Sequence, residues 1–267
     1  MVRLFPNSIL WMAFFVLPVS GLLAQDLVSF PTTTNFLPRN WQRAPIDARI
    51  SPLPGSLHEK SKTIVERALA KYPGSLIRRN LKGVRLVSSL EFYGIEYGGT
   101  YMPHSRIIIL AYDSRFNDRG FEQRFHHEFS SVLLQSYENK FDDKRWKSAN
   151  PPSFSYRSNG VIENGHSGQS EATKMLGEEQ RKTGGDGSSL LELNSGLMTQ
   201  GFLTRYNQVS IEQDVNETAA HLFTNPEIWT YCERHPRLDL KVDVLIDFYT
   251  QIDPALNRLH FRRITSR

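Results

Sequence analysis

One cysteine, Cys232, occurs in 267 residues. A lone thiol excludes an intramolecular disulfide framework, so packing or a bound metal must stabilise the fold. A long apolar run is missing too. The N-terminal one, residues 9–23, has 15 residues and contains Pro18, Ser20 and Gly21, against the roughly 20 that a membrane-spanning helix needs. Charge of one sign is not in great excess, with 32 Lys and Arg against 28 Asp and Glu. The basic clusters are Arg78-Arg79 and Arg262-Arg263 with Arg267, and no aromatic ladder or recognised nucleic-acid motif accompanies them. A nucleic-acid partner is therefore not expected. No internal repeat is visible.

The short apolar run is informative. Arg3 precedes it and small Ala24 ends it, the order of a secretory signal peptide cleaved after Ala24. Cleavage would leave a chain of about 243 residues, within the usual range for one or two domains, here read as one. It removes Arg3 and no acid, leaving 31 basic against 28 acidic residues, a charge of +3. The expectation is an exported protein, secreted or periplasmic, with no stable membrane span after cleavage. An uncleaved anchor is the alternative.

Residues 25–55 carry Pro31, Pro38, Pro45, Pro52 and Pro54, which discourages helix and central strand, so an irregular lead-in is expected. Leu57, Ile64, Val65, Ala68 and Leu69 then recur at helical spacing, with Ser56 as a candidate cap and Pro73-Gly74 as a stop. This predicts an amphipathic helix over 56–72. Two β-rich runs, 83–94 and 100–112, flank Gly98-Gly99 and should be neighbours in one sheet. Phe125, Phe129, Val132 and Leu133 predict a helix over 121–137. Residues 164–189 hold six glycines and many charges, and a mobile surface insertion is expected there. Residues 197–210 look like a loop, 211–225 like a helix ended by Asn225-Pro226, and 241–253 like a core helix.

Side chains four residues apart share a helix face, and His-Glu-x-x-His uses this to present two imidazoles to one zinc with the Glu beside its bound water. Here the string is His127-Glu128-Phe129-Ser130-Ser131, with Ser131 where the second histidine would stand. Some 86 residues on lies Glu217, on the predicted helix that starts at 211, and a distant carboxylate is an ordinary third zinc ligand. His221, four residues after Glu217, could supply the missing nitrogen. His126 lies about 100° around its helix from His127, a poorer ligand and a better candidate for contact with substrate or with the ligands from behind. Tyr206 could donate to an oxyanion or simply pack. His104 and His166 lie in loop-like surroundings and are not expected to be ligands. A solvated acid, or a glycosylation sequon at Asn216-Glu217-Thr218, would equally account for Glu217 alone.

The strand around 107–110, the His-His-Glu-Phe helix and Asp214-x-x-Glu217 together resemble a family of exported zinc-binding metallopeptidases of the gluzincin type. The resemblance implies an α+β, zincin-like fold: a small, mostly antiparallel sheet packed on the helix carrying His127, and a helical C-terminal half. It implies zinc held by His127 and Glu217, with Glu128 as the base that activates water and Asp214 supporting the ligands or capping its helix. Ser131 departs from that pattern, because a hydroxyl is a poor zinc ligand beside imidazole or carboxylate. Two functions follow. One is a zinc-dependent peptidase acting on a peptide or protein substrate. The other is an inactive exported relative that binds peptides or envelope partners. A purely structural domain is a third reading, and the oligomeric state is not legible.

Overall fold

The run at 83–92 becomes the centre of the sheet. In the computed structural model, which describes residues 27–113, 117–158, 171–185 and 187–266, six strands form one mixed sheet. They are β1 (Val28–Ser29), β2 (Arg49–Pro52), β3 (Gly83–Phe92), β4 (Ile95–Glu96), β5 (Gly99–Met102) and β6 (Ile107–Ala111). The main path runs β1-β3-β6-β5, with β2 and β4 also pairing with β3. Three pairings are antiparallel, but β1 and β6 both run parallel to β3. The two β-rich runs are neighbours as expected. The second folds into a hairpin, in which Gly99 faces Leu110 and Met102 faces Ile107.

Side chains alternate across a strand, so each β3 face should take every second residue. Val84 and Leu86 do face the main core, together with Ile108 and Leu110 of β6. Val87, Leu90 and Phe92 all face the other side. The parity changes where the register with β2 slips, Ser51 opposing Ser89 but Pro52 opposing Val87. One extra residue, a β-bulge at Ser88, turns the end of the strand over. The face thus made apolar is covered by Leu37, Trp41 and Ala48. The proline-rich lead-in is therefore irregular apart from β1 and β2, yet it closes the second core.

Helices cover the first face. They are α1 (His58–Leu69), α2 (Gly74–Asn80) and α3 (Asp118–Ser136). The predicted helix over 56–72 starts as a 3-10 turn at Gly55–Leu57, and Pro73 caps α2 instead of ending the helical region. Ser56 makes no capping bond to α1, whose N-cap is Leu57. Further on come α4 (Asp143–Ser148), α5 (Glu171–Thr183), α6 (Ser195–Met198), α7 (Ile211–Thr224), α8 (Ile228–Arg234), α9 (Pro236–Ile252) and α10 (Arg258–Thr265). The C-terminal half is helical, as expected. Phe125, Phe129, Phe223, Tyr249 and Phe261 join the two halves in one core. Among the described residues no helix is long and apolar enough to cross a membrane. The N-terminal apolar run lies outside the described residues.

The expected insertion at 164–189 behaves differently from its composition. Residues 164–170 and 186 lie outside the described residues, but Glu171–Thr183 forms α5. Its few apolar side chains, Ala172, Met175 and Leu176, are gathered on Leu190, Val209 and Tyr206 in a small separate cluster. Polar contacts do the rest. The Gln180 amide donates to Glu96 O at 2.8 Å and accepts from Glu96 N at 3.3 Å, extending the edge at β4. Tyr97 donates to Thr173 Oγ1 at 2.6 Å. Gly187, at φ 81°, lets the chain turn over Leu176, and a Cβ there would collide with its Cδ1. Gly187→Val should therefore cost about 1–3 kcal/mol locally. Hydrogen exchange should speed up across 171–183 and 187–191 while α3 and α7 keep their protection; uniform acceleration would mean that α5 belongs to the main cooperative unit.

Candidate functional site

Asn117 caps α3 by accepting from Gly120 N at 2.8 Å, and Ser210 caps α7 by accepting from Gln213 N at 3.1 Å. Among the described residues, these caps start the two helices that pack together more extensively than any other pair of elements. Phe121, Phe125 and Phe129 of α3 are committed to the core, and another face of the helix is left for α7. Gln123, His127 and Ser131 recur every fourth residue and meet α7 in three successive layers. Gln123 Nε2 lies 3.4 Å from His221 Nδ1. His127 Nδ1 lies 2.9 Å from Glu217 Oε1, and its Nε2 lies 3.0 Å from Gln213 Oε1. Ser131 donates to Glu212 Oε1 at 2.8 Å and accepts from Asn216 Nδ2 at 2.6 Å. The helices are antiparallel, and the layers form a ladder of hydrogen bonds.

A cleft of about 480 Å³ opens beside this ladder. Its walls include Arg124, Glu128 and Tyr206, with Gly98-Gly99 at the head of β5 and Leu176 and Leu190 opposite. Gly99 sits where a Cβ would stand 3.0 Å from Glu128 Oε1, so the missing side chain gives Glu128 its place. Burial pushes the Glu128 carboxyl up to about 7; Glu212 adds to this, against the opposing charges of His127 and Arg124. For His127 the same burial lowers the pKa, since it disfavours the charged form of acid and base alike, but the bond and charge of Glu217 outweigh it, and the imidazole is held above its ordinary value. An imidazolium with an acceptor oxygen at each nitrogen fits those directions.

Of the residues singled out in the sequence, His127, Glu128, Glu217, His221 and Tyr206 all line this cleft. The Tyr206 ring centroid is 6.1 Å from that of His127. His126 is elsewhere: fully buried, with Nδ1 2.8 Å from the Tyr72 hydroxyl and its ring stacked on Phe223 at 4.5 Å. The expected role in contacting substrate or ligands is corrected, because the helix turns His126 into the core. Asp214 is corrected as well. It neither caps α7, which Ser210 does, nor touches His127. Its carboxylate accepts from Trp146 Nε1 at 2.9 Å, Tyr156 OH at 2.6 Å, Asn207 Nδ2 at 2.8 Å and Lys241 Nζ at 2.6 Å.

Sequence reasoning missed Gln213, Glu212, Asn216 and Lys241. Two signals were available. Gln213 stands one turn before Glu217, and Lys241 interrupts the apolar stripe of Leu238, Val242 and Leu245.

The residues present do not form a zinc site. Among the described residues no group of three or more His, Cys, Asp and Glu side chains could hold a metal ion. Both nitrogens of His127 already face acceptors on α7, and the Ser131 hydroxyl is taken by Glu212 and Asn216. Nor does His221 complete a set. A zinc-bound histidine donates from its second nitrogen to an acceptor, whereas His221 Nδ1 faces the amide nitrogens of Gln123 and Asn225, at 3.4 and 3.3 Å.

No protein-family model matches this chain, and no curated protein does. A solved structure is similar to it: the crystal structure of a putative zinc-binding metallo-peptidase from Bacteroides caccae. The identity is 18%, over 82% of this chain and 78% of that one, with a TM-score of 0.52. The likeness is one of fold, and the architecture of this chain is α+β and zincin-like.

Proposed function

We propose that this chain uses a peptidase-like fold as a metal-independent peptide-binding module. The supporting observation is His127, whose two ring nitrogens face Glu217 and Gln213 at 2.9 and 3.0 Å. An imidazole so engaged acts as a tie between helices, and the serine at 131, in place of the histidine that the resemblance would put there, adds a second tie. The cleft suits an extended peptide. It combines an apolar patch of Leu176, Leu190 and Leu191 with many polar and charged groups, and such convergent polar groups fix the orientation of a bound ligand. Gly98-Gly99 lead into β5, a terminal strand of the sheet, and an extended chain can be held by such backbone. Export, read from the N-terminal run, is part of the proposal and would place the protein among envelope or extracellular peptides.

The test uses the purified protein, loaded with zinc, dialysed and assayed for metal by mass spectrometry. Well below one zinc per chain is expected, with binding of N-acetyl-trialanine amide unchanged by EDTA. The likeness to a zinc-binding metallo-peptidase and the half-buried Glu128 carboxyl in the cleft favour the second reading, a zinc hydrolase. Stoichiometric zinc, with proteolysis that chelator and Glu128→Gln both abolish, would establish that reading in place of the first.

A further inference from the structure

His221 is at least nine-tenths buried, at 7% exposure, and it lines the cleft. Its ring has two nitrogens, and the surroundings of one decide the chemistry of the other. Asn225 fixes the choice. Its Oδ1 accepts from the backbone N–H of Glu227 at 3.1 Å, so the other end of the amide, Nδ2, is the end turned toward His221 Nδ1, at 3.3 Å. Gln123 presents a second amide nitrogen to the same atom at 3.4 Å. Nδ1 must therefore be the acceptor, and the ring proton belongs on Nε2. No described residue hydrogen-bonds Nε2. Burial also pushes the His221 pKa down, so the ring is neutral and the single proton has a defined place.

We infer that His221 is a fixed Nε2–H donor of the cleft, which binds a neutral carbonyl oxygen of a peptide main chain. This rests on the peptide-binding reading and deepens it. The preference for an uncharged acceptor follows from the neighbours. Glu217 is one helical turn before His221 on the same face, and Glu128 lines the same cleft. Arg124 and His127 line the cleft too, but of the charges acting on His221 that of Glu217 is the largest, ahead of Arg119. A carboxylate placed here would therefore be repelled by Glu217, whereas an amide carbonyl would accept the hydrogen bond without that repulsion. Peptide ends and acidic side chains are thus disfavoured at this position.

Nuclear magnetic resonance of the 15N-labelled protein tests the inference at one atom. Long-range 1H–15N spectra should show His221 as the Nε2–H tautomer in the free protein, and titration with N-acetyl-trialanine amide should shift that nitrogen while acetate leaves it in place. In Asn225→Asp the carboxylate accepts from Nδ1 as well as from Glu227 N, so at a pH where the ring is neutral the tautomer should switch and the probe should bind about tenfold more weakly, the worth of one hydrogen bond. His221→Phe should lose affinity to the same extent. Finding Nδ1–H in the free protein would overturn the inference. So would a probe that binds without moving Nε2, or one that binds both variants as tightly as the original; each of these leaves the peptide reading standing. If the probe does not bind at all, the peptide reading falls and takes this inference with it.

Discussion

Ser131→His should give zinc a stabilising effect that it lacks on the unmodified protein. The new imidazole would stand one turn from His127 on the same face of α3, across from Glu212 and Asn216 and one layer from Glu217, and would supply the histidine that the resemblance calls for. Zinc affinity should rise by at least about a hundredfold, since an imidazole takes the place of a weakly coordinating hydroxyl. With zinc at a hundred times the dissociation constant, binding stabilises by about 2.7 kcal/mol. For a domain of this size that is roughly 5–10 °C in melting temperature. Without metal the variant should be less stable than the parent by about 1–3 kcal/mol, because Ser131 gives up its bonds to Glu212 and Asn216. Thermal melts of both proteins, with zinc and with EDTA, decide the matter. An equal zinc-induced rise in the parent would remove the metal-independent reading. No rise in either would mean that the ties from His127 to Gln213 and Glu217 hold against the metal.

The contrast between the two positions shows what a sequence can and cannot reveal about this site. That α3 and α7 are helices follows from local periodicity, and their convergence on His127 and Glu217 follows from the family resemblance. Which partner each side chain chooses does not follow. Ser131 meets Glu212 across 81 positions, and the outcome depends on the rotation of α7 about its own axis. His126 and His127 are adjacent, yet one is stacked on Phe223 and the other lines the cleft, because neighbouring helical residues point about 100° apart. The bulge at Ser88 was equally hidden. Alternation in 83–92 predicts a strand, but the extra residue that turns Leu90 and Phe92 toward Trp41 is fixed by pairing with the distant β2. The helix over 171–183 is hidden in the sequence for a related reason. Its composition gives too little apolar surface for a core, but α5 needs only a small cluster and a polar edge to lie on.

The position of α7 depends on its opposite side as well, and there Lys241→Met should be strongly destabilising. Lys241 and Asp214 are both 0% exposed. The ammonium lies 2.6 Å from Asp214 Oδ2 and 3.7 Å from the centroid of the Phe202 ring, so carboxylate and aromatic face share the cation. Methionine fills much of the same volume but removes the charge. Trp146, Tyr156 and Asn207 still donate to Asp214, yet the carboxylate is left as a buried anion with no counter-ion. Breaking one side of a buried pair costs about 3–5 kcal/mol, or roughly 10 °C here. The double variant Asp214→Asn with Lys241→Met removes both charges and keeps an acceptor oxygen for Trp146 and Tyr156, giving up the bond from Asn207. It should recover more than half of the loss. Urea unfolding of the single and double variants measures the difference. A single variant no less stable than the double would show that Asp214 is not held as an anion. The consequence reaches the cleft, since Asp214 lies on α7 between Gln213 and Glu217, the two residues that hold His127. In Lys241→Met, hydrogen exchange should therefore rise along α7 before it rises in the sheet.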